Sequence, residues 1–336
     1  MKSKLFISCI ALLSALNSAN AAGIYDNNIA ALNINMLTDA FMSYTNYGAK
    51  MSDLFAPHTI MYGTMDRLDE YGDDGSTIET YYSPNNTRHS DYFIDNVWVN
   101  ANHINESMHY GNNISRHGRF NLATVGATTK SFDLKYGDIA FGGFASYINT
   151  KMPGVRSNGD VVGIFAKYKY TMFDATALAN IGSLNNNASK SDFNNSWVNI
   201  ATDFGATLKI DETFLVRPDV YIAYNFVSSD DLYVNGATIS SDDYHFFNVA
   251  SGITFTKEIC QNWYGAFSAK YVAHFGSKNS IEIDNEKISG LYIDNHSDVG
   301  IDVEHNFEQF VFGAHVHKQI GGIDGWSTNI NIKYNF

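Results

Sequence analysis

The chain has 336 residues, a formal net charge of −13, 14% aromatic residues and only 4 Pro. An acidic balance with no basic run excludes a binder that neutralises nucleic-acid phosphates. Of the 2 cysteines, Cys9 lies in the first apolar stretch and Cys260 stands alone after it, which excludes a disulfide-stapled scaffold.

The first elements in chain order are an export signal and a helical segment. Lys2 and Lys4 precede an apolar stretch from Leu5 to Leu16, and Ala19-Asn20-Ala21 is a small-x-small cleavage site. This pattern predicts a secretory signal over residues 1–21, hence export through the Sec pathway. Residues 22–92 form a short helical and linker region. Ile29, Leu32, Met36, Phe41, Tyr44 and Met51 recur on a helical period, and Met61, Met65 and Leu68 predict a second, shorter helix. "GDDGSTIETYYSPNNTRHSDY" then reads as a linker.

Residues 93–336 form the third region, in which the period becomes two. Alternation predicts twelve strands near 94–103, 117–134, 138–150, 157–170, 172–183, 193–209, 212–227, 242–256, 260–276, 294–306, 308–319 and 325–336. Near the middle, Phe214, Val216, Val220, Ile222, Tyr224 and Phe226 share one face, and Arg217, Asp219, Tyr221 and Asn225 the other. No apolar run after the signal reaches the ~18 residues of a membrane helix. The connections read as alternating between short and long, with the longer ones near 104–116, 151–156, 184–192, 228–241, 277–293 and 320–324. Short periplasmic turns and long outer loops are the habit of membrane barrels, and a soluble sandwich has no reason to sort loops by parity. Phe214, Phe226, Trp263, Phe275, Trp326 and Phe336 lie near strand ends, where interfacial aromatic girdles sit. The expected fold is all-β: a closed antiparallel transmembrane barrel of about twelve strands, preceded by a short helical segment.

Residues on the polar face are expected to line the lumen: Lys167, Lys169, Asp203, Arg217, Asp219, Lys270, Asp298, Asp302, Glu304 and Lys333. His315 and His317 share that face and are a possible start of a metal site, for which His305 or Asp302 would be the third ligand. Polar lumen histidines are the commoner reading, so no metal and no cofactor is expected. No motif anchors a nucleophile and its base, so no catalytic residue is assigned and the chain is not expected to be an enzyme. An outer-membrane hydrolase is the distant alternative.

Several stretches carry a family resemblance. "DNVWVNANH" resembles the tryptophan-bearing first strand of the autotransporter translocator domain. "FLVRPDVYIAYNFVSSDDLYVNG" resembles that domain's central strand, "NVASGITFTKE" the strand after it with Gly252 at its centre, and the last strand closes on Phe336. The resemblance spans residues 94–336. It implies a monomeric barrel in the outer membrane of a Gram-negative bacterium, with a helix through its pore. Its partners would be outer-membrane lipids, periplasmic chaperones and the barrel-assembly machinery. Ile330, Ile332, Tyr334 and Phe336 would then be the C-terminal assembly signal. Only a vestigial or very short passenger precedes the barrel, so a stand-alone surface protein, adhesin or pore, is the first alternative.

Overall fold

The computed structural model describes residues 95–110, 114–134, 136–152, 155–188, 191–234, 237–241, 243–276, 279–283, 286–291 and 294–336, with the backbone of 68–71 and 77–80. The expected signal and most of the expected helical segment lie outside these residues. Leu68–Tyr71, placed in the second predicted helix, is instead a strand paired antiparallel with Thr77–Thr80, which had read as linker. The sequence between them is "GDDGS", turn chemistry that favours a hairpin over a helix continued from Met65.

Twelve long strands close into one barrel. They are β1 Asn96–Tyr110, β2 Ile114–Thr128, β3 Gly137–Met152, β4 Val155–Tyr170, β5 Phe173–Ala188, β6 Ser191–Ala206, β7 Phe214–Ser229, β8 Tyr244–Cys260, β9 Trp263–Gly276, β10 His296–Phe307, β11 Phe310–Gly321 and β12 Ile323–Asn335. Each pairs antiparallel with its neighbours in sequence, and β12 returns to β1, from Asn335↔Asn96 to Ile323↔Met108. Closure leaves no free barrel edge to template aggregation. Both ends of the barrel chain therefore lie at one rim, here called the terminal rim. Tight turns at Thr171, Asn262 and Glu308 sit at that rim, each with a positive φ. The other rim is the loop rim.

Loop parity holds only in part. At the loop rim, residues 230–243 and 277–295 are long connections, but β1 to β6 and β11 to β12 are joined by short ones. Residues 104–110 and 184–188, expected as loop, continue β1 and β5. The two long connections do not hang free. Ala237–Ser241 from one pairs with Asn279–Ile283 from the other, within a four-stranded sheet that also includes Leu232–Val234 and Glu286–Leu291.

The outward face carries an apolar belt. Val99, Val125, Ile164, Ile181, Phe204, Ile301 and Ile330 are all exposed, Ile164 at 69%. A belt of this extent around a whole molecule is stable only against lipid. Aromatic contacts rim it near the turns: Phe214 stacks on Phe255, and Phe310 packs against Tyr334 with ring centroids 5.0 Å apart. Towards the loop rim of β1–β6 the polarity inverts. The outward positions become His103, Asn121, Asn149, Asn158, Asn185 and Asn194, while Phe120, Leu122, Ile148 and Leu184 turn inward and are buried. This part of the wall is an ordinary half-buried sheet with its polar face to water. The inversion explains why residues 104–110 and 184–188 read as loop, since outward Asn and Ser mimic loop composition.

Inside, rings lie flat across glycines of the next strand. A Cβ on Gly126 would stand 2.2 Å from the Trp98 ring, and one on Gly182 would stand 2.3 Å from Trp197. Each missing side chain leaves the slot in which a large ring is buried, a contribution of about 2–3 kcal/mol per ring.

Candidate functional site

The candidate site is the polar interior, which gathers on the terminal half of the barrel and on the wall made by β7–β12. Strand alternation alone brings it together. On β7, Arg217, Asp219, Tyr221 and Asn225 fall on the inward side because Val216, Val220, Ile222 and Tyr224 face out.

Arg217 is the hub of the first cluster. Its Nε donates to Asp174 Oδ1 at 3.1 Å, its Nη2 to Asp203 Oδ2 at 2.8 Å, and its Nη1 to Asp219 Oδ2 at 3.2 Å. One guanidinium thus ties together carboxylates from β5, β6 and β7. Its planar fork of donors suits this task, and a lysine ammonium would not span it. Gly205 makes the room, because a Cβ there would stand 2.3 Å from the guanidinium carbon. The network extends both ways, with Lys169 3.9 Å from Asp174 and Lys270 3.6 Å from Asp219. Lys270 on β9 reaches Asp219 on β7 by crossing β8 at Gly252, where a Cβ would stand 2.5 Å from its Cγ.

Asp302 is the hub of the second cluster. His315 Nδ1 lies 2.8 Å and His317 Nε2 3.2 Å from its Oδ1. The other nitrogen of His317 is 2.8 Å from Asp298 Oδ1, and Gln319 Nε2 donates to Asp298 Oδ2 at 2.9 Å. His317 thus has a carboxylate oxygen within hydrogen-bonding distance of each ring nitrogen. The ring lies across Gly300, where a Cβ would meet its Cε1 at 2.5 Å. His315 Nε2 also has the Asn331 amide at 2.6 Å.

A third system is a run of asparagines. Asn180 donates to Asn199 at 2.9 Å, and Asn199 donates to Asn225 at 2.7 Å, with Trp197 Nε1 donating to Asn180 at 3.3 Å. Nearer the loop rim, Asn186 donates to Asn195 at 2.6 Å. Beside the closing seam, Asn329 donates to both Asn100 and Asn102.

All the residues expected in the lumen face inward. Lys167, Asp203, Asp219, Asp302, Glu304 and Lys333 are buried, while Arg217, Lys270 and Asp298 are partly so. The structure joins Asp203, Arg217, Asp219 and Lys270 in one cluster and Asp298 and Asp302 in the other. His305 does not join the two histidines. It faces outward, stacks on Trp263 with ring centroids 4.3 Å apart, and has the Asn262 carbonyl 3.2 Å from its Nδ1. Among the described residues, no group of three or more His, Cys, Asp or Glu is arranged to hold a metal ion. The two imidazoles instead bond directly to the Asp302 carboxylate. Asp174 was missed because it lies next to the turn at Met172, where alternation carries little signal. The asparagine run was missed because asparagines are so common here that none stood out.

Of the residues expected as an assembly signal, Ile330, Ile332 and Phe336 face outward and are exposed, and Tyr334 is intermediate. Tyr334 donates its hydroxyl hydrogen to Gln309 Oε1 at 2.8 Å, and the Phe336 amide donates to the Asp95 carbonyl at 3.0 Å.

No family model matches the chain. No curated protein matches it either. Solved structures do. The translocator domain of the autotransporter NalP from Neisseria meningitidis superposes with a TM-score of 0.65 at 11% identity, covering 94% of this chain and 100% of that one. The β-domain of the Bordetella autotransporter BrkA gives 0.61 at 14% identity, over 72% of this chain and 100% of that one. The transport unit of the autotransporter AIDA-I from Escherichia coli gives 0.61 at 14% identity, over 75% and 92%. These likenesses are of fold, and the fold of this chain is that of autotransporter translocator β-domains.

Proposed function

We propose that the protein is an outer-membrane translocator-type barrel that an upstream segment enters. The observation that carries this reading is the entry of the chain: β1 begins beside the end of β12 at the terminal rim, under a closed and polar lumen. A segment arriving at that rim and destined for the far side has the lumen as its path, where Arg217, Asp302 and the asparagines supply partners for backbone and side chains. On this reading residues 26–71 lie at least partly along that path, where the inward charges can satisfy polar groups. The protein acts without enzymatic chemistry and as a monomer. It is exported through the Sec pathway to the outer membrane of a Gram-negative bacterium, with the terminal rim at the periplasm. Periplasmic chaperones and the barrel-assembly machinery handle it on the way, and Ile330, Ile332, Tyr334 and Phe336 are the strand that machinery reads.

A second reading, a stand-alone surface protein, is favoured by the four-stranded sheet that joins the connections 230–243 and 277–295. Two loops ordered against each other form a platform, which passage through the lumen does not require.

The two readings differ in a bilayer recording. Deleting residues 26–90 is expected to raise single-channel conductance several-fold, because the occupant of the lumen is gone. Conductance equal to that of the full chain would remove the segment from the lumen and favour the surface-protein reading.

A further inference from the structure

The outward face of β2–β4 carries a row of cations just beyond the apolar belt. Arg119 is the register partner of Lys151, and Lys151 is the partner of Arg156. All three are exposed. Neighbouring strands lie ~4.8 Å apart, so the three charges fall within roughly 10 Å. Among the described residues none of them has an ion-pair partner. Such a cluster stands out on a chain with a net charge of −13. The outward carboxylates near it are Asp192, at the far end of the same row beyond Asn187, Asp324, two strands from Arg119 and paired with Lys318, and Asp160, four residues along β4.

One row nearer the belt is a line of amides. Asn121, Asn149, Asn158, Asn185 and Asn194 are successive register partners on β2 to β6. The line is held at its ends, by the His103 ring 2.8 Å from Asn121 and by Asn194 donating to Asp230 at 3.0 Å. Among the described residues Asn149, Asn158 and Asn185 have no side-chain partner, so their amides are open to a ligand.

The order of these rows along the barrel is belt, amides, cations. On β4 the belt ends at Val162, the exposed Asp160 follows at the base of the polar zone, and beyond it come the amide Asn158 and the cation Arg156. At about 3.3 Å per residue and a strand tilt of about 40°, Asn158 stands ~10 Å and Arg156 ~15 Å above Val162. A molecule matching all three levels has acyl chains, then sugar hydroxyls, then phosphate or carboxylate anions.

We propose that this face binds lipopolysaccharide, the phosphorylated, acylated glycolipid of the outer leaflet. Acyl chains lie along Val125, Val162 and Ile181, the asparagine amides bond sugar hydroxyls, and Arg119, Lys151 and Arg156 pair with the anionic groups above. Arginine forks suit phosphate, and clustered cations beside a membrane recruit anionic lipid headgroups. The inference rests on the outer-membrane reading and on the loop rim facing outward.

The test uses the full chain folded in detergent micelles and its R119Q/K151Q/R156Q variant, both checked for barrel formation on an unboiled gel. Lipopolysaccharide binding is measured alongside lipopolysaccharide stripped of phosphate and phosphatidylglycerol. The expected result is affinity for intact lipopolysaccharide that falls about tenfold in the variant, each exposed charge contributing modestly. Stripping the phosphates from the ligand lowers wild-type affinity comparably, and phosphatidylglycerol does not compete. Equal binding by the variant, undiminished binding of the stripped lipid, competition by phosphatidylglycerol, or no binding by the wild type would each overturn the proposal. A failure of the outer-membrane reading itself would show elsewhere, as no gel shift on boiling, or as a tag at Asn235 hidden from antibody on intact cells.

Discussion

Replacing Arg217 with alanine lowers the stability of the folded barrel by about 3–5 kcal/mol, the usual cost of removing one partner from a buried ion cluster. The reason lies in what remains. Asp203 and Asp219, 1% and 3% exposed, would face each other and Asp174 without the guanidinium that joins all three, leaving Lys270 beside Asp219 and Lys169 beside Asp174 at the edges of the cluster. Lysine at this position is expected to recover only part of the loss, because one ammonium cannot span carboxylates on three strands. Adding Asp203→Asn to Arg217→Ala removes one of the stranded charges and should restore part of the stability. Urea unfolding of the detergent-refolded protein, followed by tryptophan fluorescence, measures all three variants. A shift of the alanine variant under 1 kcal/mol would mean that the cluster is solvated in the folded state and holds little together.

Deleting Phe336 has its large effect in cells, not in the test tube. The side chain is 70% exposed, and its protein contact is an edge-on packing against Tyr334 with ring centroids 5.2 Å apart. Losing this contact, together with the Phe336 amide bond to the Asp95 carbonyl, costs about 1–3 kcal/mol, which a closed twelve-stranded barrel withstands. Refolding into detergent should therefore proceed nearly as for the full chain. If the strand Ile330, Ile332, Tyr334, Phe336 is what the assembly machinery reads, outer-membrane levels of the shortened protein should fall at least several-fold, with degradation products in the periplasm. Wild-type levels in the outer membrane would reduce Phe336 to the end of a well-patterned strand.

Much of this architecture is legible in the sequence because lipid is an unforgiving solvent. Most outward positions inside the belt are apolar, so alternation on β6, β7, β10 and β12 marks both the strands and their faces. Arg217, Asp219, Asp302 and Lys333 could be placed in the interior by parity alone. Legibility fails where the solvent changes. At the loop-rim ends of β1 and β5, His103, Asn105, Asn185 and Asn187 point to water, and the same alternation looks like loop. It fails again where partners are distant in sequence. Nothing local says that Arg217 reaches back to Asp174, that Lys270 crosses Gly252 to Asp219, or that His315 and His317 share Asp302. These contacts depend on register across three strands and on a glycine lying beneath each long side chain. The pairing of the connections 230–243 and 277–295 is hidden for the same reason.

The central claim is a closed barrel that lives in lipid. Its most direct measurement is the migration of the full chain on a detergent gel with and without boiling, alongside fractionation of the cells that make it. A sheet whose last strand pairs with its first, from Asn335↔Asn96 to Ile323↔Met108, resists detergent until heated. The unboiled protein is expected to run ahead of the boiled protein and to fractionate with outer membrane. A single band unchanged by boiling, with the protein recovered soluble from the periplasm, would contradict the account.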